Sequence, residues 1–202
     1  MSSHWNEAYA THPSNTLSWY EPEPTISLEL LDALGLTPTD SLIDIGGGES
    51  FLVDRLLARG HRDLTILDLS ATALRASLAR FERDEVTAIE SDVTTWHPTR
   101  TYDAWHDRAT LHFIDDRHRS RYFANLTRSL SPRGAVVIGV FSPQGPTTCS
   151  GLEVARYDAD ELMDLLGRGF DLVEHRRSTH RTPSNVEQSF EWVAARRNDR
   201  AS

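Results

Sequence analysis

The run Asp44-Ile45-Gly46-Gly47-Gly48-Glu49-Ser50 places three consecutive glycines just behind an acid. Glycine turns between a strand and a helix let a ligand approach the backbone, and they commonly bind a cofactor at the carboxyl edge of an open sheet. A dinucleotide fingerprint needs glycines at the first, third and sixth positions. Counted from Gly46, the third is Gly48 but the sixth is Phe51. Asp44 sets a carboxylate beside the turn, unfavourable for a pyrophosphate and favourable for the ammonium of a methionyl group. Charge therefore favours S-adenosylmethionine (SAM) over a nicotinamide dinucleotide. Asp68 lies 22 positions after Gly46, close to the spacing of about 20 at which an acid accepts ribose hydroxyls in either cofactor class. Asp92 is a third acid, suited to accept a hydrogen bond from an adenine amino group.

These acids act together only if strands bring them to one edge. Short apolar runs alternate with helical periodicities, which predicts an α/β fold with a mostly parallel sheet covered on both faces. Strands are expected at 41–45, 64–68, 86–90, 102–106, 135–141, 170–176 and 190–196, and helices at 27–34, 51–59, 71–83, 116–130 and 158–166. The interval between the third and fourth strands contains Pro98 and is too short for a crossover helix, so a loop is expected there. Residues 142–156 also read as loop.

With the glycine turn placed after the first strand, the sequence resembles the class I SAM-dependent methyltransferases. Their first motif is an acid, any residue, then glycines at alternate positions; Asp44, Gly46 and Gly48 match, and Ser50 replaces the last glycine. The resemblance implies a Rossmann-like seven-stranded sheet whose last strand is reversed and inserted beside the fifth. It implies SAM held by Asp44, Gly46, Gly47, Gly48 and Ser50 at the methionine end, by Asp68 and Leu69 at the ribose, and by Asp92 and Val93 at the adenine. His106 and Asp107, ending the fourth strand, complete that expected set. The stretch Trp105-His106-Asp107-Arg108-Ala109 also resembles the Asp-Arg-Gly or Asp-Lys-Gly segments of thiopurine-type thiol methyltransferases and of some protein-lysine methyltransferases, with Ala109 where those have glycine.

The acceptor should bind on the same edge, among segments that follow the fourth, fifth and sixth strands. Arg108, Cys149, Arg156 and Tyr157 are the candidate contacts there. Residues 1–40 are expected to form a helical cap of one domain spanning 1–202, with Trp5, Tyr9, Trp19 and Tyr20 folding over the site and Trp19 and Tyr20 walling the acceptor. Methyl transfer from a sulfonium is an in-line displacement, so alignment in a dry pocket is the main requirement. A hydroxyl or ammonium acceptor would also need a base, for which His106, His112 and His180 are the candidates; a thiolate would need none.

Composition narrows the alternatives. The net charge of -9 is spread over the chain, and the 21 basic residues, all arginine, form no run that would track a phosphate backbone, so nucleic acid is not an expected partner. The lone Cys149 forms no intrachain disulfide and builds no thiolate metal site by itself; no metal is expected. Apolar runs fall short of the roughly 20 residues that cross a bilayer, and the first residues lack a secretory pattern, so a cytoplasmic enzyme is expected. The leading reading is methyl transfer to an O, N or S nucleophile of a small molecule. A protein-lysine methyltransferase is the runner-up, followed by a nicotinamide-dependent oxidoreductase and a SAM-binding module without turnover. No motif addresses oligomeric state.

Overall fold

The computed structural model describes residues 2–198. The expected domain span of 1–202 therefore has its first residue and its last four outside the described residues. Helix α1 (Ser2–Thr11) and a short 3-10 turn precede α2 (Thr25–Ala33), which ends at Gly35 with φ +70°. The chain then alternates β1 (Leu42–Ile45), α3 (Leu52–Ala58), β2 (Leu64–Asp68), α4 (Ala71–Leu78), β3 (Thr87–Glu90), β4 (Tyr102–Arg108), α5 (Asp116–Ser129) and β5 (Leu130–Phe141). A small hairpin of β6 (Thr148–Cys149) and β7 (Leu152–Glu153), helix α6 (Ala159–Leu166), β8 (Phe170–Arg181) and β9 (Glu187–Arg197) follow.

The sheet has seven strands in the order β3-β2-β1-β4-β5-β9-β8. The pairs β1–β2, β1–β4, β2–β3 and β4–β5 are parallel, and β9 is antiparallel to both neighbours, so β8 runs with the others. This is the Rossmann-like methyltransferase fold, reversed strand included. Alternation along each strand divides the core. Leu42, Leu64 and Ile66 meet α2, α3 and α4 on one face through Leu31, Leu56 and Leu74; Ile43, Ile45 and Trp105 meet α5 and α6 on the other through Tyr122 and Leu162.

Capping explains several boundaries. Ser70 and Asp115 accept the Ala73 and His118 N–H groups at the starts of α4 and α5, and Asp158 and Glu161 form a reciprocal capping box on α6. Helix α4 stops at Leu78 rather than near Arg83, because the chain turns to set Arg80 on Asp54 (2.9 Å) and on the Ser50 carbonyl (2.7 Å). Strands β8 and β9 run longer than expected, pairing out to Arg181 opposite Glu187. Edge-strand polar residues continue a ladder that apolar patterning does not reveal. The segment between β3 and β4 is a loop, as expected, and Asn125 of α5 fastens it by donating to the Val93 and Trp96 carbonyls (2.7 and 2.8 Å).

Candidate functional site

Strand order reverses between β1 and β4, and a cleft opens there along the carboxyl ends of the strands. It encloses about 1270 Å³, counting the part open to solvent. The turn after β1 forms its floor. Gly46 (φ +65°) donates its N–H to the Leu67 carbonyl at 2.7 Å, and Gly48 also has positive φ (+46°). Ser50 accepts the Leu52 N–H at 3.1 Å, so its hydroxyl ties down the start of α3 where the family motif has glycine.

Asp44 is buried under this turn. The register sets Asp44 of β1 beside His106 of β4, so both side chains project from the same face. His106 Nδ1 lies 2.7 Å from Asp44 Oδ1, and its Nε2 lies 2.9 Å from the Ser27 hydroxyl of α2. Asp44 Oδ2 has no partner although it is shielded from solvent. Asp68, ending β2, accepts the Ser70 N–H at 2.7 Å, with the Gly48 and Leu69 N–H groups nearby. Burial nevertheless pushes its carboxyl up to about 6. Asp92 takes the Thr94 N–H and hydroxyl on one oxygen (2.8 and 2.7 Å).

The N-terminal segment closes the other side. Asn6 of α1 accepts from the Ser70 hydroxyl (2.8 Å) and the Thr72 N–H (3.2 Å), tying α1 to the start of α4. Tyr9 then reaches the glycine turn: a methyl on Gly48 would sit 2.5 Å from its hydroxyl. Burial and the Asp68 charge both raise the Tyr9 pKa, so the phenol stays neutral. Trp5 packs edge-on against Trp19 (5.7 Å) and Phe113 (4.9 Å), making an aromatic wall. Helix α1 buries no residue fully and has no acid in its first turn and no base in its last, so these tertiary contacts hold it in place.

Of the residues expected from the sequence, Asp44, Gly46, Gly47, Ser50, Asp68, Leu69, Asp92, Val93, His106, Trp19, Tyr20, Arg108 and Cys149 all line the cleft. Gly48 lies behind it, against Tyr9 and Asp68. Six positions differ from expectation. His106 meets the cleft, but both ring nitrogens are engaged, so it positions Asp44 and has no free nitrogen for a proton. His112 is buried against Phe141 (4.5 Å) outside the cleft walls, and burial drives its pKa down to about 3, too weak for a base at neutral pH. His180 sits outside the walls with Nε2 against the Ser18 carbonyl (2.9 Å). Asp107 is fully buried and organises the turn after β4, taking the Thr110 N–H (2.8 Å), the Leu111 N–H (3.1 Å) and the Tyr122 hydroxyl (2.6 Å). Tyr157 packs into the α5–α6 core, and Arg156 donates to the Pro143 carbonyl at 2.9 Å, away from the cleft.

Ala109 has φ +69°, which explains the glycine found at that place in the resembling segments. Sequence reasoning missed Glu21, Glu49, Thr110 and Phe113, which also line the cleft. Glu49 stands between Gly48 and Ser50, so its place in the motif was the available signal. Thr110 has none: its hydroxyl donates to the Ile45 carbonyl at 3.0 Å, a contact between the turn after β4 and the distant end of β1.

Residues 42–134 match the family model of a methyltransferase domain, covering β1 to the opening of β5. This segment belongs to the methyltransferase-domain family. A Drosophila melanogaster protein named as an eEF1A lysine and N-terminal methyltransferase homolog is 27% identical over 68% of this chain and 22% of its own length. An uncharacterized methyltransferase of Mycobacterium bovis is 30% identical over 55% of this chain and 56% of its own. The chain thus spans about half the length of the mycobacterial relative and about a fifth of the insect one. Among solved structures, the chain superposes on the Burkholderia thailandensis 1,6-didemethyltoxoflavin-N1-methyltransferase. That structure holds 1,6-didemethyltoxoflavin and S-adenosylhomocysteine (TM-score 0.74, 21% identity, 98% of this chain and 84% of that one). The N-methyltransferase NodS of Bradyrhizobium japonicum, in complex with S-adenosylhomocysteine, aligns with TM-score 0.71 at 17% identity, over 95% of this chain and 97% of that one. At such identities the superpositions establish the fold of the methyltransferase domain. Among the described residues no helix is long and apolar enough to cross a membrane, and no cluster of three or more potential metal ligands occurs.

Proposed function

We propose that the chain is a SAM-dependent methyltransferase acting on an O, N or S nucleophile of a small-molecule acceptor. The observation that carries this reading is the unpartnered, buried Asp44 Oδ2 beneath the glycine turn. A buried carboxylate oxygen without a donor is costly, and a ligand ammonium at the turn would relieve that cost where a phosphate would add to it. A methyl on Gly47 would come within 2.5 Å of the same oxygen, so only glycine leaves the approach open. The residues present fit SAM. Asp44, Gly46, Gly47, Gly48 and Ser50 would hold its methionyl end, Asp68 and Leu69 the ribose, and Asp92 and Val93 the adenine. The cleft is ample for a nucleoside joined to an amino acid with an acceptor beside it.

When bound, SAM supplies a methyl group on a sulfonium, open to in-line displacement. What the chain contributes is alignment and the exclusion of water by the aromatic wall of Trp5, Trp19 and Phe113. None of the three candidate histidines offers a free, basic nitrogen to the cleft, which favours an acceptor that arrives as its own nucleophile, such as a thiolate or a free amine. A cytoplasmic setting, which would keep the Cys149 thiol reduced, and one domain acting over the whole chain belong to the same proposal.

The Drosophila relative favours a second reading, methylation of a protein lysine. Incubating the protein with radiolabelled SAM and a cell extract separates the two. Label in the small-molecule fraction is the expected result, and label confined to protein would establish the second reading instead.

A further inference from the structure

Arg108, the last residue of β4, is the one lysine or arginine among the cleft walls in the described residues. Its guanidinium is held at two points: Nη1 donates to the Trp19 carbonyl at 2.9 Å, and Nε lies 3.3 Å from Glu21. It also stacks over the Phe190 ring of β9 at 5.3 Å. Nη2 is buried with no acceptor. A guanidinium carries five donors in a fixed fork, and shielding one without an acceptor is costly. The other two nitrogens already hold residues 19–21 against the end of β4, which leaves Nη2 as the donor without a role in the fold.

Position indicates what the missing acceptor belongs to. Asp44, Asp68, Asp92 and Glu49 mark the part of the cleft over β1 to β3. Arg108 leans the other way, across β5 to Phe190 of β9, and shares its wall with Cys149, Trp19 and Phe113. Burial raises the Cys149 thiol and keeps it neutral, so it supplies no counter-charge. We infer that the acceptor carries an anionic oxygen group, a carboxylate or its equivalent, which docks on Arg108 Nη2 and sets the acceptor's orientation. The inference rests on the proposed methyltransferase reading and names the substrate class for that site: small aromatic or apolar anions. Arg108 is a specificity-determining residue in this account and takes no part in bond making.

The test uses the full chain and defined probes. Calorimetry first gives the affinity for S-adenosylhomocysteine of the wild type, Arg108→Gln and Arg108→Lys. The saturated proteins are then titrated with 2-mercaptobenzoate and benzoate and with their neutral amides. Wild type is expected to bind the carboxylates at least about tenfold more tightly than the amides. Arg108→Gln should lose that preference with S-adenosylhomocysteine affinity held within about twofold, and Arg108→Lys should keep part of it. Equal binding of carboxylate and amide by wild type, or binding of neither, overturns the inference. So does a loss of S-adenosylhomocysteine affinity in Arg108→Gln, which would assign the guanidinium to the carboxylate of the cofactor's own methionyl tail. If wild type fails to bind S-adenosylhomocysteine, the methyltransferase reading is what fails, and the carboxylate preference is read on the protein alone.

Discussion

Replacing Asp68 by alanine is expected to lower affinity for S-adenosylhomocysteine by about a hundredfold or more, measured by calorimetry. Two hydroxyl donors on an ionised carboxylate are worth about 1.5–3 kcal/mol each, so losing both removes most of the binding energy on the ribose side. Asp68→Asn keeps the shape of the side chain and should retain the melting temperature while binding weakly, which separates lost recognition from lost folding. Acidity supplies a second readout. With its carboxyl pushed up to about 6, Asp68 is ionised at pH 7.5 and mostly protonated at pH 5, so wild-type affinity should fall as the pH drops through 6. The Asp68→Asn variant should lack that transition. Stability of the ligand-free protein should move the other way. An unfolded aspartate titrates near about 3.9, so the folded chain holds the proton more tightly, and the contribution of Asp68 to stability falls as pH rises from about 4 to 6. Asp107, also pushed up to about 6 by burial, acts in the same sense.

Gly46→Ala should be nearly as damaging by another route. Its φ of +65° is strained for any side chain, and the added methyl would run into the Thr110 side chain. Left-handed strain of about 1–2 kcal/mol plus overpacking of about 1–3 kcal/mol predicts a melting temperature lower by about 4–20 °C, together with loss of S-adenosylhomocysteine binding. Adding Thr110→Ala removes the hydroxyl that the methyl would strike, gives up that hydroxyl's bond to the Ile45 carbonyl and leaves the strain, so the double variant should recover part of the lost stability. No recovery would mean that the turn is fixed by something other than this contact.

The fold was legible where local chemistry and burial agree. Ala135 to Phe141 reads as a central strand because both faces of a parallel sheet are covered, and Gly35 marks a helix end through its left-handed backbone. The ends of β8 and β9 were not legible, since their outer residues are polar and pair only because the neighbouring strand is there. The site divides the same way. Asp44 and Asp68 stand near the carboxyl ends of β1 and β2 and Gly46 follows β1 directly, so their place on the edge follows from strand direction alone. The fate of the histidines depends on contacts remote in sequence. His106 lies 62 residues from Asp44, and only the β1–β4 register makes them neighbours. His112 and Asp107 look like edge residues in sequence, yet the turn after β4 folds His112 inward onto Phe141, and Asp107, still within β4, faces Tyr122 of α5.

The decisive measurement is a pair of calorimetric titrations of the wild-type protein, one with S-adenosylhomocysteine and one with NADH. The carboxylate under the glycine turn predicts saturable binding of S-adenosylhomocysteine in the micromolar range and no binding of NADH. Saturable binding of NADH, with none of S-adenosylhomocysteine, would contradict the account.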